Sequence, residues 1–253
     1  MRENSIIASG VFKDIGCPVI HWNHPRGYSF YKNGKYSARD LKYLELIKEI
    51  DSFVLHHSVT YNASATYNGL VARGLSVNFI IDDDIDENGY ATIYQCLDMK
   101  DAGWSHKPLN NRAPGVEICY YPNAWSHPNL YSEENIKKNN VQPHNIIQDT
   151  IHGHTMDVFM PTDAQIKSCA ALLWGVSKLF PNIRASFPKE NNEIVKGVVK
   201  DPSGFLSHFN ITTNKVDPMG FPFEKVEAEV NKKNRRPFGW SFLARLIDRM
   251  KSR

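Results

Sequence analysis

The order of apolar runs predicts an α/β domain, a mixed central β-sheet flanked by helices. Two observations carry this. Four short apolar runs, at 53–56, 77–81, 91–97 and 115–121, have the length and the β-branched and aromatic content of buried strands. A longer stretch, "PTDAQIKSCAALLWGVSKLF" (161–180), is amphipathic at helical spacing. Helical patterns interleaved with strands, rather than set apart from them, point to a layered α/β fold.

The elements follow in order. "YSFYKNGKYS" (28–37) sets Asn33-Gly34 between aromatic runs, the signal of a two-residue hairpin, because both turn residues tolerate positive φ. "SARDLKYLELIKEI" (37–50) reads as a helix capped through Ser37 and Asp40, with Leu41, Leu44 and Ile47 on one face. The strand "FVLH" follows and ends on the pair His56-His57. "VNFII" and "ATIYQCL" are the next two strands, joined across Asn88-Gly89, and "GVEICYY" is the fourth. Residues 122–160 are rich in Asn, His and Pro without clear periodicity, and read as a long irregular insertion. In the helix 161–180, Thr162 and Gln165 make a capping box, while Ile166, Ala170, Leu173, Val176 and Phe180 form the buried face. A last short strand, in "GFLSHF", again ends on a histidine, His208. The chain therefore divides into an N-terminal extension with its hairpin (1–36), a main domain (37–231) carrying the insertion, and a C-terminal tail (232–253).

A chain of 253 residues with 42% hydrophobic and 23% charged content has the composition of a soluble globular protein. No apolar run is long enough to span a bilayer, and the N-terminus lacks a secretory pattern, so synthesis in the cytoplasm without a signal peptide is expected. Cys17, Cys96, Cys119 and Cys169 are scattered without a CxxC spacing, as buried free thiols rather than a disulfide framework or zinc knuckle. The tail holds eight basic side chains against one acid, a net of +7, which leaves −4 on the other residues of a chain whose total is +3. Within it Phe242, Leu243, Leu246, Ile247 and Met250 fall at helical spacing among Arg245, Arg249 and Lys251. Such a cationic amphipathic helix suits an anionic membrane or outer-membrane lipid, or else packs on the domain. A net-acidic main body argues against nucleic acid.

Two apolar strands about 150 residues apart each deliver a histidine, His56 and His208, and Asp217 stands nine residues after the second. Two imidazoles and one carboxylate form a three-ligand set for catalytic zinc, with a position left for water. Successive strand side chains point to opposite faces, so His56 and His57 do not both reach one ion. One of the pair is then free to be a ligand and the other is a packed or hydrogen-bonded neighbour.

The surroundings strengthen this. "FVLHHSVT", "VNFIIDDD…ENGYATIYQCL", "AGWSH", "APGVEICYY", "PTDAQIKSCAALL" and "HFNITTNKVDP" occur in the order of the zinc-dependent N-acetylmuramoyl-L-alanine amidases of the type 2 family, which the chain resembles over roughly residues 50–226. That family shares its fold with peptidoglycan-recognition proteins. The resemblance implies Zn2+ held by His56, His208 and Asp217, Glu117 as general base and Lys215 as stabiliser of the oxyanion. It implies bacterial peptidoglycan as the partner and cleavage between N-acetylmuramic acid and L-alanine. With the basic tail and the extension, the expected role is a monomeric phage lytic enzyme, an endolysin, acting at the cell wall. The alternatives are a cytoplasmic wall-recycling amidase and a non-catalytic recognition module; the complete ligand set argues against the latter.

Some residues depart from the family. Val77 stands where some relatives carry a catalytic tyrosine, and His106 falls one residue late in "WSH", facing the cleft or not. "HGH" (His152, His154) offers a second metal site or, in preference, a solvated loop. Asp84, Asp86, Asn88 and Gly89 fit the opening of a calcium loop, but its twelfth position is Gln95 and strands flank it, so a hairpin turn is the simpler reading.

Overall fold

The structure, a computed structural model, describes residues 3–235; the proposed amphipathic helix of the tail lies outside them. In chain order the elements are β1 (Ser5–Ala8), β2 (Val11–Asp14), β3 (Val19–His21), α1 (Phe30–Asn33), α2 (Tyr43–Glu49), β4 (Ser52–His57), α3 (Ala63–Ala72), β5 (Phe79–Ile81), β6 (Ile93–Gln95) and β7 (Gly115–Ile118). There follow α4 (Glu133–Asn139), β8 (Ile146–Ile151), β9 (His154–Phe159), α5 (Asp163–Leu179), β10 (Lys189–Glu190), β11 (Glu193–Ile194), β12 (Gly204–Ser207), a 3-10 turn at His208–Asn210, and α6 (Phe223–Arg235).

Six strands form the central sheet in the order β12-β4-β7-β5-β6-β3. The first four run parallel, while β6 is antiparallel to β5 and parallel to β3. The sheet is therefore mixed and helix-flanked, as the residue pattern predicts. The N-terminal extension supplies its outer strand, β3.

Strand alternation sorts the side chains by face. Phe53, Leu55, Phe79, Ile81, Val116, Ile118 and Phe205 join one core with Ile166, Ala170, Leu173 and Val176 of α5 and Val226 and Val230 of α6. On the other face Ile80 packs with Leu70 of α3, Phe30 and Cys119. The predicted capping box of α5 is present: Thr162 Oγ1 accepts from the Gln165 N–H at 3.2 Å, and Gln165 Oε1 from the Thr162 N–H at 2.9 Å. The buried Gln165 amide also donates to Cys119 O and Asp82 O, tying the start of α5 to the ends of β7 and β5. All four cysteines are buried free thiols.

Three local readings are corrected. Asn33-Gly34 ends a helical turn rather than making a hairpin: Gly34 donates to Phe30 O at 2.9 Å and has φ −113°. The glycine is needed for closeness, since a Cβ there would lie 2.5 Å from the Phe30 side chain, which the core holds fully buried. The following helix begins at Tyr43, not near Ser37, which instead pairs with Ala102. Arg39 sends its guanidinium to the carbonyls of Lys100 and Asn111 while Asp101 accepts its N–H, so this segment is held extended. Leu44 is then 70% exposed and Leu46 is the buried residue of α2. Finally, the insertion is ordered: Ser132 caps α4, and β8 pairs with β9 through a turn at His152-Gly153, whose φ values of 53° and 79° suit a two-residue hairpin.

The calcium-loop residues behave as the turn reading predicts. Asp86 Oδ1 accepts from the N–H groups of Asn88 and Tyr90, and Asp84 accepts from the Thr92 N–H and hydroxyl.

Gly204 opens β12 at φ +88°, and a Cβ there would lie 2.8 Å from Arg184 O and 3.0 Å from Ser186 O. Gly204→Ala therefore strains the strand that delivers His208. The expected loss is on the order of 2 kcal/mol, measured by denaturant unfolding.

Candidate metal centre and active site

β4, β7 and β12 lie side by side, and their carboxyl ends open at one edge of the sheet, the usual place for a site in a parallel array. Val54 and Leu55 pair with Leu206 and Ser207 of β12, so His56 and His208 follow at neighbouring strand ends. His56 pairs in register with Glu117 of β7. Both side chains alternate away from the α5 core and so share a face.

Asp217 comes back over this edge. Its Oδ2 lies 2.7 Å from His56 Nδ1 and 3.1 Å from His208 Nδ1. His56 and His208 are buried, and the Asp217 side chain is 14% exposed. One ligand atom from each residue falls within 4.8 Å of the others, and this is the one such cluster among the described residues. Two imidazole nitrogens and a carboxylate oxygen converging on a single point fit a small divalent cation that prefers mixed N and O donors.

Burial would raise the Asp217 carboxyl, but hydrogen bonds from His208 and His56 override it and hold it well below the usual range. Burial keeps His56 low and lowers His57 to about 4 and His106 to about 3, so these rings are neutral. Glu117 behaves oppositely. It is 7% exposed, its Oε2 has no hydrogen-bond partner among the described residues, and burial with the nearby Asp217 charge pushes it up to about 8. Lys215 is exposed at the rim, two residues before Asp217, and its charge pulls Glu117 part of the way back.

His57 faces the other side, as the alternation requires, yet serves the same loop. Its Nδ1 accepts from the Met219 N–H at 3.0 Å, two residues beyond Asp217. The Tyr120 hydroxyl donates to Met219 O, and Asp149 Oδ2 accepts from the Gly220 N–H at 2.8 Å. His152 Nε2 reaches Lys215 O at 2.9 Å. The β8–β9 hairpin thus braces the loop that carries Lys215 and Asp217. His152 is spent on that contact and His154 is exposed, so "HGH" is a structural turn.

His106 is buried rather than cleft-facing, with Nδ1 3.3 Å from His56 Nε2. Val77 is fully buried in the apolar cluster under α3. The adjacent histidines hint at a divided task, but nothing local in the sequence foretells the parts of Tyr120, Asp149 or His152, which are set by pairings 63 to 99 residues apart.

A parallel-edge site with a His-His-Asp donor set beside a buried carboxylate has the layout of a metal-dependent hydrolase. The chain belongs to the N-acetylmuramoyl-L-alanine amidase family, whose model matches residues 47–220. Every residue of the cluster, with Glu117 and Lys215, lies inside the matched segment. A comparison with curated proteins finds no match. Among solved structures, the endolysin N-acetylmuramoyl-L-alanine amidase LysCS of Clostridium intestinale is similar at 15% identity and a TM-score of 0.45, over 84% of this chain and 95% of that one. The N-acetylmuramyl-L-alanine amidase AmiD of E. coli, in complex with anhydro-N-acetylmuramic acid-L-Ala-D-gamma-Glu-L-Lys, is similar at 12% and 0.45, over 90% and 66%. The Drosophila peptidoglycan recognition protein SA gives 14% and 0.40, over 83% and 91%. At these values the likenesses carry no argument of their own.

Ionising Glu117 in the folded, metal-free chain opposes its burial. Its folded pKa near 8 stands above the ordinary 4.5, so its contribution to stability is present below about pH 4.5 and is lost as pH rises through 8. Glu117→Gln is expected to unfold at a higher temperature than the parent in chelator. The gap should be absent at acid pH and should widen between pH 4.5 and 8, as read by melting curves across that range.

Proposed function

We propose that the chain is a zinc amidase that hydrolyses the bond between the lactyl group of N-acetylmuramic acid and the L-alanine of the stem peptide. The convergence of His56, His208 and Asp217 beside Glu117, inside a segment matched by the amidase family, is the observation that supports it. His56 and His208 would contribute imidazole nitrogens and Asp217 an oxygen to the ion. Zinc bound there supplies a Lewis acid that polarises the scissile carbonyl and lets water lose a proton near neutral pH.

The chain's own residues do the rest. Glu117, level with His56 on the next strand, accepts the proton of the attacking water and returns it to the leaving amine. Its carboxyl, pushed up to about 8 in the metal-free chain, would be drawn down by a dication bound nearby, toward the range where it takes and returns a proton at neutral pH. Lys215, on the rim and free of the core, brings its ammonium to the oxygen on which negative charge develops. The braced loop behind it limits how far that charge and Asp217 drift apart.

The biological role in this reading is lysis: a monomeric endolysin acting on the bacterial wall. The concentration of basic charge in 232–253, with apolar residues at helical spacing, supports a surface anchor on anionic lipid. A cytoplasmic recycling enzyme acting on soluble fragments has no use for one.

Mass spectrometry of digests of purified peptidoglycan tests the activity. New L-alanine amino termini should form, vanish with a chelator and return with zinc; binding without cleavage would instead identify a recognition module. Glu117→Gln should lower kcat by about 100- to 10,000-fold and Lys215→Met by about 100-fold, with the zinc content of both unchanged. Deleting 236–253 should slow lysis of membrane-covered cells but leave cleavage of soluble fragments intact; equal rates on both would remove the anchor.

A further inference from the structure

Behind His56, away from Asp217, three contacts run in a line. Ala113 O lies 2.8 Å from His106 Nε2, and a carbonyl oxygen only accepts hydrogen bonds. His106 Nε2 therefore carries the ring proton, and its Nδ1 offers a lone pair. That lone pair faces His56 Nε2 at 3.3 Å and also accepts from the Ser105 hydroxyl at 2.8 Å. An acceptor in that place calls for a proton on His56 Nε2. His56 Nδ1 lies 2.7 Å from Asp217 Oδ2, which also accepts. In the metal-free chain the two neighbours therefore compete for the one ring proton, and a cation that takes Nδ1 leaves it on Nε2, facing His106.

We infer that His106 is a positioning residue: it fixes the His56 ring in one orientation and accepts from Nε2–H in the tautomer that leaves Nδ1 to the metal. The inference rests on the zinc reading above and adds to it a residue that touches neither ion nor substrate. Ring position is over-determined. His106 is 1% exposed, and its backbone N–H is bonded to Asn110 Oδ1 at 2.9 Å. The ring presses on the start of β7 where residue 115 is glycine; a Cβ there would sit 2.8 Å from His106 Cε1. The two imidazoles lie at 28° to each other with centroids 5.4 Å apart, a geometry in which nitrogen can meet nitrogen near the ring planes. Without this partner the tautomer open to the metal loses its acceptor, while the one whose Nδ1–H satisfies Asp217 and blocks the metal keeps its own. The outer partner of a ligating histidine acts on affinity by suppressing such alternatives.

Two variants separate this from mere packing. His106→Leu keeps bulk but has no acceptor. His106→Asn loses the Ala113 contact yet keeps an oxygen near the place of Nδ1. Zinc affinity of the whole chain, measured by competition with a chromophoric chelator, is expected to fall about 10- to 100-fold in His106→Leu and to be largely kept in His106→Asn. Zinc binding by the leucine variant as tight as the parent's, or an equal loss in both variants, overturns the role. Nitrogen-15 NMR of the unmodified protein, with and without zinc, reads the tautomers even if a variant does not fold. With zinc bound, Nε2–H on both His56 and His106 is expected, and a proton on Nδ1 of either ring in that state overturns the inference. A parent chain that binds no zinc would sink the zinc reading, and with it the inferred presentation of Nδ1 to a metal.

Discussion

One carboxylate oxygen organises the catalytic edge of this protein. Asp217 Oδ2 stands between two imidazoles brought from different strands, and each of the three groups is removed from water. In such surroundings a polar contact is strong when satisfied and costly when not. The surrounding structure is therefore built to hold its partners in place. β4 and β12 must be neighbours and parallel for their last residues to arrive together, and the loop after β12 must return to the same point.

That return is secured from several directions. His57 reaches through from the far face of β4, Tyr120 from beyond β7, and the β8–β9 hairpin lays Asp149 and His152 against the loop backbone. Lys196 in turn pairs with Asp149. The adjacent histidines thus have separate contacts on opposite faces, one at each end of the turn containing Asp217. The arrangement accepts a local penalty. Glu117 is buried beside another carboxylate and shifted upward, an unfavourable setting in a protein core and a suitable one for a proton carrier.

How much of this was legible depended on the range of the forces involved. The strands, the α5 cap and the Asn88-Gly89 turn are decided by a few neighbouring residues, so their patterns could be read directly. Asn33-Gly34 has the same local signature as Asn88-Gly89 but does not make a hairpin, because Phe30 is drawn into the cluster with Tyr67 and Cys96 and pulls its segment into a helical turn. Ser37 looks like a cap, yet Arg39 binds the backbone of a loop some sixty residues on and keeps the segment extended. Residues 122–160 lack periodicity because their buried apolar side chains are split between two clusters, Tyr131 and Val141 in one and Ile151 and Val158 in the other, while Ile146 and Ile147 of β8 face solvent.

The sequence by itself determined the alternation that splits His56 from His57 and the mixed α/β layering, which follow from local spacing. The residues of the donor set were legible through the resemblance to the amidase family. Only the tertiary structure decided that Asp217 faces the Nδ1 atoms of both histidines, that Glu117 sits level with His56, and that His106 lies behind it. Strand order, register and ring orientation bring those atoms together, and they are set by packing between segments up to 161 residues apart, a distance over which spacing along the chain carries no information.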